Sequence, residues 1–272
     1  MTNEMARYNV HCGNAKRLPP LLITDLIVRQ AHRRGQMPYI TVIDRRGETE
    51  TISFAGLEAR TRRLAGWLTA RHGVRTGSRV ALTPVNDMPS VLAIFALMRL
   101  GAVTVMLNPA DPVERHNQLI EGASAELLLR PPLQDFGVIS NAVEIPDTLQ
   151  LDNASVPLPT LSPLSDAFLI GTSGSTAASK LVRQTHCNTA ANAADTVTHH
   201  GIVPGQKFLG CLPIHHVNGL HFTLMSSMVA GSHSILLAGF DPLTYPRIME
   251  TVQPRIASVV PSILDALASV WR

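Results

Sequence analysis

Residues 167–180 read AFLIGTSGSTAASK, and the order of residue types there governs the reading of the whole chain. Ala167–Ile170 is a short continuous apolar run, the pattern of a strand covered on both faces. It passes directly into Gly171–Lys180. Gly171 and Gly174 let backbone N–H groups converge, and Thr172, Ser173, Ser175 and Thr176 add hydroxyl donors. Lys180 adds one positive charge. A loop of this make-up can wrap an oligophosphate, with amides and hydroxyls on the oxygens and the cation offsetting their charge. The pattern GxxxxGK[ST] cannot be fitted here, so this is not a Walker loop. By composition alone, a solvated serine- and threonine-rich connection is also open.

Working outward, strand-like runs alternate with helical patterns. Tyr39–Asp44 and Thr49–Phe54 flank Arg45-Arg46-Gly47 and predict a hairpin. Leu57, Leu64, Ala65 and Leu68 recur at helical spacing up to Gly73, which marks a stop. A strand at 79–82, an apolar helix at 89–100 closed by Gly101, and a strand at 103–107 come next. A polar helix from near Pro112 and a strand at 125–129 follow. The proline-rich 131–163 reads as a connecting region between two sheets. Beyond the loop, helices are expected at 188–200, 220–229 and 262–271. Strands are expected at 207–212, 234–237 and 256–260, the last two bracketing a further helix. This rhythm predicts an α/β fold of mainly parallel sheets flanked by helices. The expected organisation is two stacked α/β subdomains, the second incomplete. A lead-in covers 1–20, the first subdomain with its connecting region 21–165, and the phosphate-loop subdomain 166–272.

Composition narrows the function. The chain is 45% hydrophobic and only 16% charged, which suits strands covered on both faces. A net charge of +3 is too mild to predict a nucleic-acid partner. The densest basic stretch, Arg29–Arg34 with Arg45 and Arg46 nearby, has no stacking aromatic and reads as solvated surface. Cys12, Cys187 and Cys211 are far apart with no CxxC spacing, which supports neither a zinc site nor a disulfide framework. The polar N-terminus lacks the apolar core of a signal peptide. The longest apolar run, Val91–Met98, is far short of the roughly 20 residues that span a bilayer. A cytoplasmic location follows by default. His199, His200, His215, His221 and His233 read as structural, since no HExxH or carboxylate pair accompanies them. No metal ligand is assigned.

Several segments together carry a family resemblance. Thr172–Lys180 (TSGSTAASK) resembles the phosphate loop TSG[ST]TGxPKG of the adenylate-forming superfamily of acyl-CoA synthetases, luciferases and adenylation domains. Leu212–Leu220 (LPIHHVNGL) resembles its LPxxHxxGL segment, and Thr185-His186 with Asn188 its TH-x-N helix start. Ile52–Leu57 resembles LTYxEL, and Gly101–Pro109 resembles GAVxxxLNP. Elements in the same order over most of the chain are a far more specific signal than one loop.

The resemblance implies an AMP-forming carboxylate ligase. A carboxylate attacks the α-phosphorus of Mg·ATP to give an acyl-adenylate and pyrophosphate, and a thiol such as coenzyme A then displaces AMP. It implies that Thr172, Ser173, Gly174, Ser175, Thr176 and Lys180 hold the phosphates and that Lys180 helps pyrophosphate leave. It implies that His216 faces the substrate carboxylate, with Asn218 and Gly219 beside it at the acyl pocket, Gly219 leaving room for the acyl group. The implied partner is a small carboxylic acid.

Three loop positions depart from the family: Ala177 and Leu181 stand where it has glycine, and Ser179 where it has proline. If those glycine positions need positive φ, each substitution costs about 1–2 kcal/mol. The family's YGxTE segment (adenine contacts and a magnesium-ligating Glu) and TGD aspartate occur nowhere in the 272 residues. Its small C-terminal domain with a catalytic lysine has no counterpart either. The expectation is therefore a half-enzyme or fragment, weakly active alone, with a complementing C-terminal half or partner protein. Two alternatives stand beside it: an inactive remnant that binds an acid or a protein, and an amide synthetase or peptide-synthetase adenylation domain.

Overall fold

The computed structural model describes residues 22–132, 142–153, 156–171 and 181–270. Helix α1 (Ile23–Arg34) precedes the hairpin of β1 (Pro38–Ile43) and β2 (Thr49–Ser53). Then come α2 (Phe54–His72), β3 (Arg79–Leu82), α3 (Met88–Leu100), β4 (Val103–Met106), α4 (Val113–Ala123) and β5 (Leu127–Arg130). They are followed by β6 (Ala142–Glu144), β7 (Asp166–Gly171), β8 (Leu181–Thr185), α5 (His186–His199) and β9 (Lys207–Gly210). A π-helical segment (Asn218–Ser226) runs into the short α6 (Ser227–Ala230). The last elements are β10 (His233–Leu237), α7 (Tyr245–Val252), β11 (Ile256–Ser258) and α8 (Pro261–Val270).

The strands form two mostly parallel sheets. The first has the order β6-β5-β3-β4-β7-β8 and the second β11-β9-β10-β1-β2. Among the described residues, only β7–β8 and β1–β2 pair antiparallel. A division at residue 165 does not follow these sheets. The β1–β2 hairpin joins the second sheet, with Ile40 opposite Ser234, while β7 joins the first, with Thr104 opposite Phe168. The proline-rich stretch after Arg130 therefore adds β6 to the first sheet and leads back into that same sheet. Long-range pairing decides sheet membership, and local periodicity carries no record of it.

Between the sheets lies one apolar layer built from α1, α2, α3, α5 and the π-helical segment with α6. Val80 and Leu82 of β3 face it, as does Leu236 of β10. Alternate residues face outward. Ala81, Val103 and Val105 meet Leu119 and Ala123 of α4, and Ile235 and Leu237 meet Tyr245 and Ile263 of α7 and α8. Helix α3 is the centre of the shared layer. Its sequence MPSVLAIFALMRL is apolar all round, and every residue except Pro89 is buried. Full burial of a side chain such as Ile94, Phe95 or Leu97 contributes about 1.5–3 kcal/mol. Its one charge, Arg99, meets Glu58 of α2 at 3.1 Å. Burial lowers the arginine pKa, and Glu58 opposes that shift.

The ends of α3 are specified by sequence. The Asp87 carboxylate accepts the Ser90 N–H at 2.9 Å, and the Ser90 hydroxyl accepts the Val85 N–H at 3.1 Å. Gly101 closes the helix at φ 66°, and a Cβ there would strike Leu161. No element expected from sequence covers α1, whose Gln30 amide donates to the Met228 carbonyl at 2.9 Å. Arg29 and Arg33 lie on its exposed side.

Burial pushes the Asp87 carboxyl up to about 6, with the Glu50 charge adding to the rise and the Ser90 bonds opposing it. A raised folded-state pKa means that the group's contribution is complete below about pH 4 and is lost as pH rises through 6. Asp87→Asn keeps a capping oxygen and removes the charge. The variant is expected to be more stable than the parent by ~1–2 kcal/mol at pH 8, after allowance for partial solvent contact. The gain should vanish below pH 4. Urea unfolding at the two pH values checks this.

Candidate functional site

The loops at the carboxyl ends of the two sheets are tied together by one buried side chain. Asn86, 6% exposed, sits between β3 and α3. Its amide nitrogen donates to the carbonyls of Leu212, 3.2 Å away just beyond β9, and Leu237, 2.8 Å away at the end of β10. Its oxygen accepts the Ile214 N–H at 2.9 Å. Three hydrogen bonds of this side chain are thus spent on the second sheet, and the 212–217 loop is held against the first.

That loop closes one side of a cavity of about 550 Å³, within the range of small-molecule sites. Met106 at the end of β4 and Ile170-Gly171 at the end of β7 form its floor. His215, His216 and Val217 form one wall, and Asn108, Asp111 and Arg115 form another. Ligands of parallel α/β sheets bind at the carboxyl ends of strands, where this cavity lies.

The second wall is preorganised. The Asn108 amide donates to Asp111 at 2.9 Å, and Asp111 receives Arg115 at 3.1 Å. A His116 ring nitrogen lies 2.7 Å from the Asn108 carbonyl oxygen. On the first wall the His215 and His216 rings lie 4.2 Å apart with planes inclined at 51°. His216 is exposed at the cavity and His215 is half-buried. Burial, then the neighbouring His216, lower the His215 pKa to about 4, while a hydrogen bond to the Pro84 carbonyl and the Asp111 charge oppose the fall. His215 is neutral at pH 7.

The expected site residues divide into three groups. His216 lines the cavity. Asn218 and Gly219 do not belong to its lining. The Asn218 side-chain oxygen accepts the Ser258 hydroxyl at 2.8 Å, tying the start of the π-helical segment to β11. Gly219 is buried, and a Cβ there would collide with the Pro213 carbonyl. Backbone fills the space a Cβ would take at Gly219, so the residue permits a close chain crossing. Thr172, Ser173, Gly174, Ser175, Thr176 and Lys180 lie outside the described residues. The two residues that bracket them are described: Gly171 lines the cavity and is the register partner of Leu181 in β8. Leu181 is an extended strand residue, so the strain that a positive φ would bring does not arise there.

Sequence reasoning missed Asn86, Asp111, Arg115 and the placement of His215. Asn108 belongs to the LNP element, yet nothing in that element signals that it braces Asp111. The helix expected over 220–229 is mostly π-helical, a form frequent at functional sites. Its carbonyls are occupied by hydroxyls. Tyr39 Oη donates to Leu224 at 2.9 Å, Ser227 Oγ to Thr223 at 2.7 Å, and Ser234 Oγ also to Thr223.

Among the described residues, no group of three or more His, Cys, Asp or Glu could hold a metal ion, and no helix is long and apolar enough to cross a membrane. Cys187 and Cys211 are buried free thiols, pushed up to about 11 by desolvation and unreactive at neutral pH.

Comparison with known proteins agrees with this architecture. A family model described as AMP-binding enzyme matches residues 27–271. The 2-succinylbenzoate–CoA ligase of Bacillus licheniformis is 30% identical over 226 residues, which is 80% of this chain and 46% of that protein. The feruloyl-CoA synthase of an Amycolatopsis species is 29% identical over 249 residues, 88% of this chain and 50% of that protein. The chain spans about half the length of the curated relatives it matches. Among solved structures, the O-succinylbenzoate coenzyme A synthetase of Bacillus subtilis in complex with AMP superposes with a TM-score of 0.81 at 23% identity. That match covers 91% of this chain and 64% of that one. Mycobacterium smegmatis MbtA, without ligand, gives 0.82 at 21% identity, covering 99% and 53%.

Two substitutions probe the scaffold. Asn86→Ala leaves two carbonyls and one N–H buried without partners, a cost of about 3 kcal/mol. Gly219→Ala must displace the Pro213 carbonyl, at about 1–3 kcal/mol. Both losses should appear in chemical denaturation, and a change under 0.5 kcal/mol at either position, about the spread of an ordinary surface substitution, would contradict the packing described.

Proposed function

The chain belongs to the AMP-binding enzyme family, and on that premise we propose that it forms the phosphate-loop and acyl-wall part of an AMP-forming carboxylate ligase. The observation that carries this reading is one cavity, in which the wall bearing His216 faces the strand end, Gly171, from which the TSGSTAASK segment departs. When bound, ATP supplies an α-phosphorus for a carboxylate to attack, giving acyl-adenylate and pyrophosphate before a thiol takes the acyl group.

The chain's own residues have positioning and electrostatic tasks. Thr172, Ser173, Gly174, Ser175 and Thr176 donate to the terminal phosphates, and Lys180 offsets the charge of departing pyrophosphate. His216 holds the carboxylate of the acid. Neutral His215 packs at a tilt against His216 and limits its swing, and Asn86 fixes the backbone that leads into both. Asn218 acts on the pocket indirectly, through its bond to Ser258. Among the described residues no group of three or more His, Cys, Asp or Glu converges, and no magnesium ligand is assigned to them. No step is therefore assigned to the metal through these residues.

The acid is proposed to be an aryl-bearing carboxylic acid and the acceptor coenzyme A. Support for this comes from the two relatives named above, whose names join an aryl-bearing acid to coenzyme A.

The test supplies the full chain with a polypeptide corresponding to the second half of a relative, Mg·ATP, coenzyme A and a panel of aryl and fatty acids. Carboxylate-dependent pyrophosphate release is expected, and His216→Ala should lower it by about tenfold or more. Absence of release with every acid, together with saturable acid binding indifferent to ATP, would overturn the ligase reading in favour of an acid-binding module.

A further inference from the structure

His221 does not line the cavity, yet it touches both strands that bracket residues 172–180. It lies in the π-helical segment, five residues beyond His216, and is buried. Its ring stands edge-on to Phe168 of β7, with centroids 6.2 Å apart and planes at 78°. Its Nε2 lies 2.6 Å from the side-chain oxygen of Gln184 in β8. Phe168 and Gln184 are register partners across the β7–β8 pair. One imidazole is thereby fixed to facing residues on both strands.

The polar character of this contact is informative. Burial holds the His221 pKa down to about 4, so the ring is neutral at pH 7 and carries a single N–H. Nδ1 is buried without a partner among the described residues, which leaves Gln184 as the ring's polar anchor there. A hydrogen bond partly shielded from water is directional and costly to break, whereas an apolar pair of the same size would tolerate sliding. The π-helical segment is held on its other side by Tyr39 and Ser234, so it has fixed points in both sheets.

We propose that His221 is a positioning residue which, through Gln184 and Phe168, fixes the β7–β8 strands in register with the π-helical segment that follows the His216 wall. A ligand held at the Gly171 end of the cavity then stiffens that segment. The ligand-dependent part rests on the ligase reading above; the coupling between the two elements does not.

Gln184→Met keeps the length of the side chain and removes the hydrogen bond. In amide hydrogen exchange of the full chain without ligand, the variant should exchange about tenfold faster across 218–226 as well as across 181–185. A rise confined to 181–185 would overturn the proposal. With Mg·ATP added, the wild type should gain protection across 218–226. The variant should bind Mg·ATP within about threefold of the wild type yet fail to gain that protection, and equal protection in both would also overturn the proposal. If the wild type alone does not bind Mg·ATP, the ligase reading is decided by the complementation test above and the ligand-free comparison alone decides this one.

Discussion

The amide of Asn86 fixes how the two sheets face one another. It leaves the first sheet at the start of α3 and spends its hydrogen bonds on the loops beyond β9 and β10. Two sheets packed on a shared layer of helices could slide, because apolar contact is not directional. Three buried hydrogen bonds from one side chain remove that freedom at the carboxyl edge, where the cavity opens. The energetic weight lies elsewhere, in α3, whose sides all bury apolar surface. The helix supplies stability and the amide supplies register.

A second consequence of the shared layer is the π-helical segment that follows the cavity wall. A nine-residue π-helix has poorer backbone geometry than an α-helix and needs outside support. Tyr39 from β1 and Ser234 from β10 supply it by donating hydroxyls to carbonyls at 223 and 224. Asn218 anchors its first residue to β11 through Ser258, and the absence of a Cβ at Gly219 lets the chain cross Pro213 closely.

The helices and strands were legible because their signals are local. The apolar run of α3 with Gly101 behind it, the turn at Arg45–Gly47, and the buried run before Gly171 each declare one element. The arrangement of those elements was not legible. Nothing in Tyr39–Ile43 announces a partner almost two hundred residues away in β10, so a sequence division at 165 follows chain order where the sheets do not. The cavity was half legible. His216 is marked by its motif, whereas Asn86, Asp111 and Arg115 gain meaning only from partners that the fold brings together. The π-helix has no sequence signature, because side-chain hydroxyls from distant strands hold it.

The central claim is that nucleotide phosphate and acid carboxylate meet between Gly171 and His216. A crystal structure of the chain grown with an aryl-sulfamoyl adenosine, a stable mimic of the acyl-adenylate, tests it most directly. The account predicts the sulfamoyl linkage within hydrogen-bonding reach of His216 and the nucleotide side of the molecule toward Gly171. The same molecule bound elsewhere, or a cavity left unfilled at saturating concentration, would contradict it.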